Sequence, residues 1–128
     1  MTRSVVTTGL APAAIGSYAQ GVRVGNLVFT SGQIPIDPVT QQVVAGGIAE
    51  QTMRVMKNLK AIIEAAGSGL DRVIKATVFL KDLSDFSAMN AVYAKYLEVD
   101  GNAPARTTVE VSRLPRNVLV EIEMIAEV

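Results

Sequence analysis

The 128-residue chain contains no cysteine and no histidine. The missing thiols exclude disulfides, iron–sulfur clusters and thiolate chemistry. The missing imidazoles exclude a Ser-His-Asp triad and the usual zinc sites. Excess charge is lacking too, because twelve Lys and Arg balance twelve Asp and Glu. A neutral chain has no electrostatic footprint for phosphate backbones, so no nucleic-acid partner is expected. No apolar run reaches the roughly 18 residues needed to span a bilayer. The N-terminal stretch Met1-Thr2-Arg3-Ser4-Val5-Val6-Thr7 has no long apolar core of a signal peptide. The expectation is a cytoplasmic protein without a membrane partner. Catalysis is left to carboxylates, Arg, Lys, Tyr, hydroxyls and backbone groups.

What remains is an aliphatic globular composition, 49% hydrophobic with only three Phe. The length suits one domain over residues 1–128. Val22-Arg23-Val24 and Leu27-Val28-Phe29-Thr30 flank Gly25-Asn26, a tight-hairpin signal. Gly32-Gln33-Ile34-Pro35-Ile36-Asp37-Pro38 breaks into a loop. Ile48, Thr52, Val55, Leu59, Ile62 and Ala66 form one apolar stripe, predicting a helix over 48–66 that ends at Gly67. Gly46-Gly47 before it reads as a flexible lead-in rather than an anion cradle. A strand over 73–81 puts Ile74, Ala76, Val78 and Leu80 on one face. A second helix runs from an N-cap at Ser84 to Leu97. A loop spans Asp100 to Pro104, and strands follow at about 106–111 and 118–127.

With a short strand near Ser4–Thr7, this order predicts an α+β fold with both helices on one face of a mixed sheet. Two helices cover one face only. The other carries Phe29, Phe79, Leu119 and Ile125 among polar residues, which suggests self-association as a closed ring.

Arg106 opens a strand after Pro104 and has the planar fork for a carboxylate. On pattern alone it reads as a solvated strand-end arginine or a salt-bridge partner. Glu121 and Glu123 alternate with apolar residues on a strand expected to be central. Val109 and Val111 are expected to face the core, so Arg106, Thr108 and Glu110 share the opposite, non-core face with Glu121. Tyr18 lies in a loop, Ser31 ends a strand beside Gly32, and Asn90 sits one turn after Phe86. Taken singly, these residues read as packing, turn chemistry and a helix-surface amide. Lys75 reads as solvated.

As an ordered set the motifs say more. Ala11-Pro12-Ala13-Ala14-Ile15-Gly16, Tyr18, Ser31-Gly32-Gln33-Ile34-Pro35, Ala65-Ala66-Gly67, Pro104-Ala105-Arg106, Leu114-Pro115 and Val120-Glu121-Ile122-Glu123 resemble the RidA (YjgF) family of enamine/imine deaminases. The resemblance implies a chorismate-mutase-like fold and a homotrimer with pockets between subunits. It implies that the 73–81 strand separates the last two strands. It also implies that Arg106 holds a substrate carboxylate and that Glu121 positions water. Tyr18, Ser31, Gly32, Thr108, Phe86 and Asn90 would line the pocket, Thr108 through its backbone. The implied reaction is hydrolysis of 2-imino acids such as the 2-aminoacrylate tautomer to 2-keto acids and ammonia, with no metal or cofactor. Two positions depart from the family: Ser17 stands where Pro is usual, and Thr108 where Cys is frequent. The rival readings are a trimer that binds small carboxylates without turnover and a ribonuclease or translation inhibitor.

Overall fold

The computed structural model describes residues 2–98 and 101–128. Met1 and Asp100, the latter in the predicted 100–104 loop, lie outside the described residues. The strands are β1 (Arg3–Val6), β2 (Gly21–Val24), β3 (Leu27–Thr30), β4 (Val73–Leu80), β5 (Ala105–Glu110) and β6 (Val120–Glu127). Two helices, α1 (Ile48–Ala65) and α2 (Phe86–Leu97), complete the frame. The sheet order is β1-β2-β3-β6-β4-β5. Among the described residues only the β4–β5 pair is parallel. β4 therefore separates β5 from β6, as the family resemblance implied.

Local chemistry sets most element ends. Gly25 takes φ 58° and closes the β2–β3 hairpin. At the start of α1 the Glu50 carboxylate accepts a hydrogen bond from the Gly47 N–H at 2.8 Å. A Cβ on Gly46 would stand 2.6 Å from Glu50 Oε1. The glycine pair is thus a fitted cap, not the flexible lead-in expected. α1 ends in paired bonds from Gly67 N–H to the Glu64 carbonyl and from Ser68 N–H to the Ile63 carbonyl. Gly67 sits at φ 90°, the left-handed C′ conformation of that motif.

Two expectations need correcting. Asp85, not Ser84, is the N-cap residue of α2 and makes no side-chain cap bond; the capping carboxylate belongs to Asp82, at the head of the turn before it, and accepts from the Ser84 N–H at 2.9 Å and from the Ser84 hydroxyl at 2.6 Å. One 3-10 turn, Leu83–Asp85, intervenes before the helix. On β4, Val73 pairs with Ala126 and Lys75 with Ile125, so Ile74 is the extra residue of a bulge. The bulge turns Ile74 outward, 46% exposed, and Val73 takes the core place expected of it.

Both helices cover one sheet face. Val55, Leu59 and Ile62 of α1 and Met89 of α2 pack with Val28, Val78 and Ile122 of the sheet, all fully buried or nearly so. Truncating one of the large residues to Ala costs about 2–5 kcal/mol. The opposite face is open in the single chain. The strand register sets Val5, Val22, Phe29 and Ile125 in one row across four strands. Val5 is 61% and Phe29 42% exposed.

Asn58 joins α1 to the loop beyond β3. It is fully buried, and its amide donates to the carbonyls of Ile34 at 3.4 Å and Ile36 at 3.0 Å. Its oxygen accepts from Arg54 Nε at 3.1 Å. Asn58→Leu strands those carbonyls in the interior, at a cost of about 2 kcal/mol or more. The expected result is a lower urea midpoint with faster amide exchange between residues 34 and 44. An unchanged midpoint would show that the amide is dispensable.

Candidate active site

β6 is central, between β3 and β4, and presents Glu121 opposite Phe79 on the open face. The carboxylate is half-buried. Desolvation pushes its pKa above the ordinary 4.5, and the like charge of Glu123 on the same strand face pushes it further. Gly32 makes the room: a Cβ there would collide with the Glu121 carboxylate. Backbone bonds between Gln33 and Ile122, 2.9 and 3.2 Å, fix that approach. The Ser31 hydroxyl donates to the Ala19 carbonyl at 2.6 Å and so ties down the loop carrying Tyr18. Tyr18, Ser31, Gly32 and Glu121 share a cavity of ≈ 400 Å³ with Ile34 and Pro115.

Arg106 lies elsewhere. In the parallel β4–β5 pair it stands beside Ala76, which is fully buried on the helix face. Its Nη1 donates to Asn90 Oδ1 at 2.6 Å. The guanidinium carbon sits 5.2 Å from the Phe86 ring centroid and 4.8 Å from that of Tyr93. Residues 86, 90 and 93 fall at i, i+4 and i+7 on α2, so one helix face grips the cation. Thr108, next on the same strand face, pairs with Val78, and its hydroxyl is buried without a hydrogen-bond partner.

The expected shared face of Arg106 and Glu121 is therefore overturned. Arg106 and Thr108 face α2, whereas Glu121 faces the open side. The parity argument failed because it assigned Val109 to the core. Val109 is 38% exposed and stands beside Phe79 on the open face. The predicted residues form two clusters: Tyr18, Ser31, Gly32 and Glu121 in one, and Phe86, Asn90, Arg106 and Thr108 in the other.

Tyr93, within the second predicted helix, was not singled out in the sequence, and its role beside Arg106 was missed. The heptad-like spacing Phe86, Asn90, Tyr93 is the signal that marks it. Ile34 and Pro115 were within quoted motifs but were not singled out. Lys75 donates to the Thr107 hydroxyl at 2.9 Å and joins neither cluster. A wider concavity of ≈ 640 Å³ at the other end of β4 and β5, lined by exposed Asp71, Arg72 and Glu127, holds none of these residues. Among the described residues no three acidic groups converge to hold a metal, and no helix is long and apolar enough to cross a membrane.

Burial pushes the Tyr93 phenol pKa up, opposed by the Arg106 guanidinium. Among the described residues its hydroxyl, like that of Thr108, has no hydrogen-bond partner. Tyr93→Phe keeps the ring against the guanidinium and removes the orphan hydroxyl, so its urea midpoint should match or exceed that of the parent. Tyr93→Leu loses the aromatic face and should cost about 2 kcal/mol. Equal loss in both variants would mean that the hydroxyl, not the ring, matters.

Comparison with known proteins extends these findings. A family profile described as Endoribonuclease L-PSP matches residues 8–128. A RutC family protein of Pyrococcus abyssi is 54% identical over 126 residues, covering 98% of each chain. The 2-iminobutanoate/2-iminopropanoate deaminase of Escherichia coli K12 is 50% identical over 127 residues, again covering 98% of each. The crystal structure of the E. coli YjgF gene product superposes with a TM-score of 0.90 at 49% identity, covering 97% of this chain and 98% of that one. Matched along nearly its whole length in both sequence and fold, the chain belongs to the Endoribonuclease L-PSP (YjgF/RidA) family.

Proposed function

We propose that the protein hydrolyses 2-imino acids, and the enamines in equilibrium with them, to 2-keto acids and ammonia. The observation that carries this reading is the half-buried Glu121 carboxylate, held against Gly32 in a cavity lined by Tyr18 and Ser31. A desolvated carboxylate with a raised pKa is suited to taking a proton from water near neutral pH. The deaminase name of the E. coli relative, at 50% identity, supports the same reaction. The family's endoribonuclease description finds less support in a chain with zero net charge and no histidine.

The reaction needs a carboxylate anchor, and Arg106 suits that role. It spends one N–H on Asn90 and lies under aromatic cover. Strand alternation puts it on the face opposite Glu121, so one small substrate cannot bridge the two within a chain. We therefore place the complete site between copies in a homotrimer, with Arg106, Asn90, Phe86 and the Thr108 backbone from one and Glu121, Tyr18, Ser31 and Gly32 from its neighbour. The open apolar row from Val5 to Ile125 gives such copies a surface to bury.

In the proposed mechanism water attacks the iminium carbon and Glu121 accepts its proton, giving a carbinolamine. Glu121 returns that proton to the amine, the C–N bond breaks, and the hydroxyl proton passes by way of Glu121 to the departing ammonia, so that the ketone and ammonium form. The iminium is already electrophilic. Positioning and one general base, worth about 10²–10⁴-fold, supply the acceleration.

Two experiments test this. Glu121→Gln should lower kcat about 10²-fold or more with little change in 2-keto acid affinity. Activity should fall on the acid side as Glu121 takes up its proton. Glu123→Gln removes the neighbouring like charge, lowers the Glu121 pKa and should move that acid limb to lower pH. An acid limb that stays in place would argue against Glu121 as the base. In the second test, the inactive variants Arg106→Lys and Glu121→Gln are unfolded together and refolded as a mixture. A site shared between neighbours leaves about a quarter of interfaces with both groups intact, and activity returns to that extent. A site within one chain would stay dead, and a monomer by light scattering would end the shared-site reading.

A further inference from the structure

The cluster around Arg106 holds the hydroxyls of Thr108 and Tyr93, which make no hydrogen bond among the described residues. Thr108 shares the arginine's strand. Tyr93 comes from α2 and is 5% exposed, and its hydroxyl is closed off from solvent. The other ring against the guanidinium, Phe86, has no polar atom to satisfy. A phenylalanine at position 93 would offer the cation the same aromatic face without an unmet hydroxyl in the interior. The Tyr93 hydroxyl therefore calls for a use.

Arg106 is the group at hand to supply that use. Its guanidinium carbon lies 4.8 Å from the Tyr93 ring centroid. The guanidinium opposes the burial-driven rise of the phenol pKa, first by its charge and then by a near hydrogen bond. The two groups are thus adjacent, with no bond of proper geometry between them. The guanidinium is tethered instead to Asn90, whose Oδ1 accepts from Nη1 at 2.6 Å one turn before Tyr93. Its N–H donors lie in one rigid plane, so a tilt that presents a parallel pair to a carboxylate carries the remaining donors with it. With Nη1 kept on Asn90, such a tilt takes place over the face of the Tyr93 ring.

We infer that the Tyr93 hydroxyl accepts a hydrogen bond from Arg106 when the arginine takes a ligand carboxylate. The ring is the surface on which the guanidinium tilts, and the hydroxyl holds the tilted plane from behind. Tyr93 is thus a positioning residue: it acts through Arg106, does not touch the substrate, and meets its own hydrogen-bonding need in the bound state. The assignment rests on the reading of Arg106 as the carboxylate anchor. Its signature is a separation of stability from affinity. Removing the hydroxyl relieves the free protein of an unmet polar group and deprives the complex of a bond to a charged donor.

The test compares the full-length protein with Tyr93→Phe and with Tyr96→Phe, which removes a phenol from the same helix that is not against the guanidinium. Each is measured for its urea midpoint, its calorimetric affinity for 2-ketobutyrate, and kcat and KM on the imine that an amino-acid oxidase makes from 2-aminobutyrate. Tyr93→Phe should keep or exceed the parent's midpoint, bind 2-ketobutyrate about tenfold more weakly and raise KM about as much, with kcat within about twofold. Tyr96→Phe should match the parent in affinity and turnover. Parent-like affinity in Tyr93→Phe would overturn the inference, because the hydroxyl is then idle in the bound state. A midpoint that falls along with affinity would also overturn it, as the mark of a structural role. So would a fall in kcat at constant KM, the mark of a group at the reacting atoms, or equal weakening in Tyr96→Phe. Arg106→Lys separates the two readings. If it binds the keto acid weakly while Tyr93→Phe binds normally, the anchor stands and the inference alone fails. If it binds as tightly as the parent, the anchor reading fails and takes the inference with it. A parent that binds keto acid without turning over the imine defeats the deaminase reading alone, because the affinities still decide the role of Tyr93. A parent that binds no keto acid defeats both.

Discussion

Side chains on a strand alternate, and that constraint governs everything about this site. Ala76 and Phe79 lie three residues apart on β4 and so face opposite ways. Arg106 is in register with the first and Glu121 with the second. No rotamer brings these two groups together in one chain. The fold puts a cation under a helix and a desolvated carboxylate on an open sheet. A ligand that needs both must find them on different copies.

The helix side and the open side prepare their groups by different means. Arg106 is gripped by three side chains of a single helix, two of them rings, which leaves its charge fixed and its direction set. Among the described residues no cation lies beside Glu121. It is shaped by absences: no Cβ on Gly32, partial loss of water, and a like charge two residues away. One group is held in place by its neighbours, the other poised to change protonation. That division of labour suits a reaction in which a carboxylate is held still while protons move.

Much of this was readable in the sequence. The hairpin, α1, α2 and β6 carry clean periodicities, and their bounds moved by only a residue or two. Tyr18, Ser31, Gly32 and Glu121 were named together and lie together. Elsewhere the periodicity misled for physical reasons. At β5 the apolar residues Ala105 and Val109 lie on the open face while Arg106 and Thr108 face α2, so the alternation pointed to the wrong side. At Ile74 a bulge shifted the phase by one residue. Asp82 could not be told from Ser84 as a cap, because both types favour that place. Tyr93 was not singled out, because its service to Arg106 depends on a strand pairing that the sequence alone did not supply.

The sheet order has a consequence for how the chain is made. β6, the last strand in chain order, sits at the centre of the sheet, bonded on one side to β3 and on the other to β4. It pairs with Leu27–Phe29 and with Val73–Leu80, so the pairings reach across roughly 100 and 40–50 residues and form late. Until residues 120–127 leave the ribosome, β3 and β4 each keep an open edge with unpaired backbone groups, a template for misassociation. The nascent protein is therefore most exposed to aggregation just before its final strand arrives, and the same strand that closes the sheet delivers Glu121.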